Sequence, residues 1–160
     1  MNHTLSVLLR SKPGALSRVT GLFSGRGFNI ESLCVAETFD PQVSCLTVVT
    51  RGEAAIIEQI TKQLHKLIYV INISDVSEGE FVEREMVLIR VKAEASTRAE
   101  VLRIIDIFRG KVVDVSPNSY ALEITGSDSK IKAVIDILRP LGIKEIVRTG
   151  KIAMMRAPKK

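Results

Sequence analysis

Two histidines, two cysteines and three closely spaced glycines are the residues of this chain whose types could do chemistry. A catalytic centre needs a nucleophile within reach of a base, or a metal held by several His, Cys, Asp or Glu. His3 sits at the start of an apolar run and His65 lies between Leu64 and Leu67 of a helical pattern, so each reads as a packed or surface imidazole. Cys34 and Cys45 have no companion at metal-ligand spacing and are too few for a disulfide framework. They read as buried thiols, facing each other if the hairpin that carries them is symmetric. Gly21, Gly25 and Gly27 resemble a dinucleotide loop in spacing alone. Such a loop follows a strand and opens a helix, whereas these glycines close a helix and lead into a strand. No catalytic residue, metal site or cofactor is expected on this chain.

A different chemistry is legible at Lys12-Pro13-Gly14-Ala15. Pro and Gly immediately before a helix, with a small residue at its start, leave the first-turn N–H groups open to an anion such as a carboxylate. Spacing alone also fits an ordinary strand-to-helix turn.

The elements that must position this turn follow from periodicity. Residues 3–10 read as a strand and 15–27 as a helix with Leu16, Val19, Leu22 and Phe23 on its apolar face. Residues 28–37 and 43–50 form a hairpin, 53–67 a helix carrying Ile56, Ile57, Ile60, Leu64 and Leu67, and 69–76 a fourth strand. After the polar linker Ser77-Glu78-Gly79-Glu80 the order repeats: strand 85–93, helix 97–108 opened by a capping-box-like Thr97-Arg98-Ala99-Glu100, hairpin 111–126, helix 129–138 and strand 143–150. The fold class is therefore α+β, two ferredoxin-like βαββαβ units. The expected domains are residues 1–76, a linker 77–83, and 84–160 with a basic tail.

Right-handed crossovers give each sheet the order 4-1-3-2 and leave the second strand on an edge. The edge residues Ile30, Leu33, Val35 and Ala36 are apolar, which predicts a two-fold homodimer through strand 28–36. In that order the first two strands run parallel, so Asn29 lies at the far end of the sheet from its own Gly14 turn. Antiparallel pairing of two edges carries it toward the partner's turn. One pocket could then hold both ends of an amino acid: the carboxylate on the helix N-terminus, the ammonium on the Asn29 amide oxygen.

Composition narrows the partners. A chain of 160 residues that is 46% hydrophobic can bury a core, and no stretch approaches the ~20 apolar residues of a membrane span. No leader is apparent at the N-terminus, so a cytoplasmic protein without membrane contact is expected. The formal net charge of +5 is accounted for by Arg148, Lys151, Arg156, Lys159 and Lys160, with no acid from residue 148 on. Any attraction to polyanions would be confined to that tail. Strand 43–50 carries no aromatic residue on which a base could stack, which argues against nucleic acid.

SKPGALSRVTGLFSGRGFNIESL, the Asp40-Pro41 to Ser44 stretch, KQLHKLIYV, VEREMVLIRV, FRGKVVDVSPNSYALEITG and the closing RTGKIAMMR together resemble the small, regulatory subunits of acetohydroxyacid synthase, also called acetolactate synthase. The resemblance covers nearly the whole chain. It implies an N-terminal ACT domain that dimerises and binds a branched-chain amino acid, usually valine, at the dimer interface. It also implies a noncatalytic role: the subunit activates a separate large subunit, which holds thiamine diphosphate, Mg²⁺ and usually FAD, and confers feedback inhibition in branched-chain amino-acid synthesis. The family's effector contacts carry over to Gly14, Ala15, Asn29 and Ile30, with Ser11 where members often have asparagine, and Cys45 where they often have arginine. The alternative from another class is a free-standing ACT-like regulator that binds nucleic acid through its basic tail.

Overall fold

Leu5, Val7 and Leu9 are buried at every second position of Asn2–Arg10, which makes this segment a strand (β1) with one face turned to a core. In the computed structural model, which describes residues 1–159, helix α1 follows at Ala15–Gly25 and buries Ala15, Val19 and Phe23, four residues apart. Its end is built by sequence. Gly27 takes φ 69°, its amide donates to the Ser24 carbonyl at 3.2 Å, and the Phe28 amide donates to the Phe23 carbonyl at 2.9 Å. Those two bonds are a Schellman closure, sealed by the Phe28 ring edge-on to Phe23 at 6.3 Å. The chain is thereby delivered to Asn29 and the second strand.

Strands β2 (Ile30–Glu37), β3 (Val43–Arg51) and β4 (Val70–Asp75), with helix α2 (Ala54–His65), complete the first unit. The sheet order is β2-β3-β1-β4 with every neighbour antiparallel, so β2 is an edge, as expected. On α2, Ile57, Ile60 and Leu64 are buried. Ile56 and, on α1, Leu16 are each 38% exposed. The inward stripe of each helix is narrower than the apolar pattern suggests, because one sheet face covers only one side of it.

The second unit repeats the plan with β5 (Phe81–Lys92), α3 (Arg98–Ile107), β6 (Lys111–Val115), β7 (Ser119–Gly126), α4 (Asp128–Gly142) and β8 (Ile143–Arg148), in the order β6-β7-β5-β8. Val87, Ile89, Leu122 and Ile124 of the sheet meet Val101, Ile105, Ile131 and Val134 of the helices in its core. The capping box expected at Thr97 does not form: its hydroxyl instead accepts the Glu94 amide at 3.1 Å and caps nothing on α3. Helix α4 continues past Leu138 and through Pro140, because a proline this near the end removes a donor from the last turn only.

The domain boundary differs from expectation at the C-terminus. By contacts the first unit is Met1–Val82 together with the segment from Lys151 on, and the second is Glu83–Gly150. A ninth strand, β9 (Ile152–Met155), was not expected from sequence; four residues are too short for a period to register. β9 pairs with β5. Its flanks are fixed on the first unit, the Lys151 amide donating to Ser32 Oγ at 3.1 Å and the Arg156 amide to the Glu80 carbonyl at 2.9 Å. The polar linker is itself ordered: Val76–Glu78 forms a 3₁₀ turn in which the Ser77 amide donates to the Asp75 carboxylate at 3.0 Å.

Candidate functional site

Gly14 occupies the left-handed region at φ 83°, where it caps α1, and no atom lies within 4 Å of where its Cβ would stand. The Ala15 amide turns back to the Lys12 carbonyl at 3.1 Å, and the Arg18 amide reaches Gly14 at 3.0 Å. Among the described residues nothing accepts from the Leu16 and Ser17 amides. α1 has no acidic residue in its first turn and no side-chain cap. Two N–H donors at the positive end of a helix dipole therefore stand open beside an unobstructed glycine, an arrangement suited to a carboxylate.

Ser11 belongs to the same end of the sheet. Its amide donates to the Gln42 carbonyl at 2.7 Å and its hydroxyl lies 2.8 Å from the Ser44 hydroxyl. Ser44, on β3, is a neighbour that sequence reasoning missed. The 9↔44 register that brings it there could be found only after the hairpin was aligned. Ala15 is buried, so it contributes to the site through its backbone and small size.

Asn29 and Ile30 lie at the opposite end. Thr50 pairs with both His3 and Ile30, whereas Arg10 pairs with Val43 at the Gly14 end, so β1 and β2 are parallel and the full length of the sheet separates the two groups. Within one chain the structure thus brings Ser11, Gly14 and Ala15 together and does not bring Asn29 and Ile30 to them. Asn29 is held by two contacts that sequence reasoning also missed. The fully buried Thr50 hydroxyl donates to its carbonyl at 2.6 Å, and its own side-chain Nδ2 donates to Glu31 Oε1 at 3.1 Å. The i, i+2 spacing of Asn29 and Glu31 was a usable signal for the second.

The other chemically interesting residues resolve as follows. His3 Nδ1 lies 2.8 Å from Asp75 Oδ2, and among the described residues no hydroxyl or thiol hydrogen-bonds to this imidazole. His65 is exposed at the end of α2. Cys34 pairs with Thr47 and Cys45 with Ala36, so the thiols sit diagonally and not opposite each other; both are free and half-buried. No group of three His, Cys, Asp or Glu among the described residues could hold a metal ion. Of the basic residues near the C-terminus, Arg148 donates Nε and Nη2 to the buried Glu85 carboxylate at 2.5 and 3.1 Å. That hydrogen bonding raises the Arg148 pKa above the ordinary arginine value. Lys159 Nζ lies 3.9 Å from Glu80. Among the described residues no helix is long and apolar enough to cross a membrane.

Comparison with known proteins agrees with this architecture. The family model of an AHAS small subunit-like ACT domain matches residues 5–72, and that of the small subunit of acetolactate synthase matches residues 84–157. A probable acetolactate synthase small subunit of Archaeoglobus fulgidus is 49% identical over 160 residues, covering 100% of both chains. The acetolactate synthase small subunit of Haemophilus influenzae is 50% identical over 99% of this chain and 98% of its own. The crystal structure of the acetolactate synthase small subunit from Thermotoga maritima superposes with a TM-score of 0.91 at 40% identity, covering 99% of each chain. Matched along nearly its whole length in both sequence and fold, the chain belongs to the acetolactate synthase small-subunit family and carries an ACT domain at its N-terminus.

Proposed function

We propose that this chain is the noncatalytic regulatory subunit of an acetolactate synthase: it raises the activity of a catalytic large subunit and makes it sensitive to a branched-chain amino acid, with valine the first candidate. The observation that carries the effector part of this reading is the placement of complementary groups at opposite ends of one edge-exposed sheet. The open Leu16 and Ser17 amides beside Gly14 suit a carboxylate, and the Asn29 amide suits an ammonium group. Antiparallel pairing of β2 with a second copy would bring Asn29 and Ile30 of one chain to Ser11, Gly14 and Ala15 of the other, so the site is whole only in the dimer. Ile30 would face the branched side chain. Thiamine diphosphate, Mg²⁺ and FAD would be held by the large subunit, and the complex would work in the cytoplasm.

Reconstitution tests both halves together. Adding the full chain to the purified large subunit should raise acetolactate formation, and valine, leucine or isoleucine should then lower it in a graded order. A large subunit whose rate is unchanged by the chain would overturn activation; a reconstituted complex indifferent to all three amino acids would overturn feedback. The nucleic-acid alternative finds less support, because Arg148 and Lys159 already have carboxylate neighbours.

A further inference from the structure

Asn29 can present either its oxygen or its nitrogen to a ligand, and only the oxygen accepts from an ammonium group. The orientation is therefore part of the specificity of the site, and something must set it. In the structure Asn29 Nδ2 donates to Glu31 Oε1 at 3.1 Å, which leaves Oδ1 as the side-chain atom not engaged by Glu31. A carboxylate has no hydrogen to give, so it can bind only the NH₂ side of the amide. The flipped orientation would set two acceptor oxygens against each other.

Two features hold Glu31 in this role, and a third holds Asn29. The pairing of β2 with β3 shifts between Ile30 and Ser32, so Glu31 is the unpaired residue of a β-bulge, a device that re-aims a side chain. Its carboxylate also lies 3.7 Å from the Arg51 guanidinium at the end of β3, and Arg51 Nε in turn reaches Asn2 Oδ1 at 3.4 Å. The Asn29 backbone is pinned from the other side by the Thr50 hydroxyl at 2.6 Å. The Glu31 side chain is one-third exposed, beside the place where the effector's ammonium would sit.

We infer that Glu31 is a positioning residue for the effector's ammonium group: by accepting from Asn29 Nδ2 it turns Oδ1 outward, and so selects amino acids over the corresponding carboxylic acids that lack the amine. This rests on the effector reading above and deepens it by naming the group that discriminates the amino end.

The test compares valine with isovalerate, its des-amino analogue, by calorimetric titration of the full chain and of Glu31→Ala and Glu31→Gln, with circular dichroism to check the fold. The wild-type chain should prefer valine. Glu31→Ala should weaken valine about tenfold, as for loss of a charge-assisted hydrogen bond, while leaving isovalerate within about twofold. Glu31→Gln, which keeps an acceptor oxygen without the charge, should recover much of the preference. Equal weakening of both ligands in Glu31→Ala would show a merely structural role and overturn the inference, as would an unchanged valine affinity. A wild-type chain that binds no branched-chain amino acid would instead overturn the effector reading itself, and the role of Glu31 with it.

Discussion

A left-handed glycine at the mouth of a helix imposes two separate demands on any replacement, and Gly14 allows them to be told apart. At φ 83° an L side chain is strained, yet the space around its Cβ is empty. Asparagine and aspartate tolerate this backbone better than other residues and are nearly the same size. Gly14→Asn should therefore cost on the order of 1 kcal/mol of stability or less and only modestly shift the valine response. Gly14→Asp adds a carboxylate where the effector's own should sit. In a partly desolvated pocket its repulsion should weaken inhibition at least tenfold beyond the Asn variant, since 1.4 kcal/mol corresponds to a factor of about ten. Inhibition curves of the reconstituted synthase measure the difference; coincident curves for the two variants would remove the carboxylate from that seat.

Arg148 gives the corresponding residue-scale test in the second unit. Its partner Glu85 is only 4% exposed, so Arg148→Met strands a carboxylate in the core edge. Arg148 itself is about half exposed, which discounts the pair, and a loss of about 1–3 kcal/mol in thermal or urea unfolding is expected. The sign of the pH dependence follows from the raised pKa: the contribution is complete below the ordinary arginine range and fades only as pH rises through the still higher folded value. Replacing Arg148 should therefore leave the shape of the alkaline limb between pH 7 and 10 unchanged.

At the scale of elements, the proposed dimer rests on the edge of β2, where two copies would complete one site. Val35 is 39% exposed on that edge. Val35→Lys should bring like charges near the two-fold axis and weaken dimerisation by about tenfold in sedimentation equilibrium, with loss of the amino-acid response in parallel. An undiminished dimer would move the interface elsewhere. Most of this element level was legible in the chain. The alternation of Leu5, Val7 and Leu9 and the spacing of Ile57, Ile60 and Leu64 report burial directly, and burial is what periodicity encodes. Less legible were contacts set by register: Ser44 beside Ser11 and Thr50 beneath Asn29 depend on how two strands slide past each other, and a slip of one residue changes both. Thr97 was misread because its hydroxyl had a nearer acceptor and donor in Glu94, a competition that motif spacing does not express.

On the scale of the whole molecule, the first unit is discontinuous. Removing the residues after Gly150 should take away the Lys151 amide from Ser32, the Arg156 amide from Glu80 and the Met155 side chain that fills the space beside Gly79. Hydrogen exchange should then speed up in β1 and in the Val76–Glu78 turn while the α3–α4 core of the second unit keeps its protection. Unchanged exchange in β1 would show that β9 adds nothing to the first unit. The charged linker was read as a boundary because it is polar. The structure makes it a boundary of a different kind, one at which the chain leaves a fold to which it later returns.

That return has a consequence for how the protein is made. A ribosome releases residues in order, so the four-stranded sheet that contains β1 emerges first, but the segment around β9 that ties down Ser32 and Glu80 is synthesised only after the whole of Glu83–Gly150. The N-terminal half must wait, incompletely locked, while another unit is translated and folds. Translation pauses late in the message would thus lengthen the life of a nascent chain whose β2 edge is already formed and unpaired, which is the moment at which two neighbouring nascent copies, on one message, could find each other.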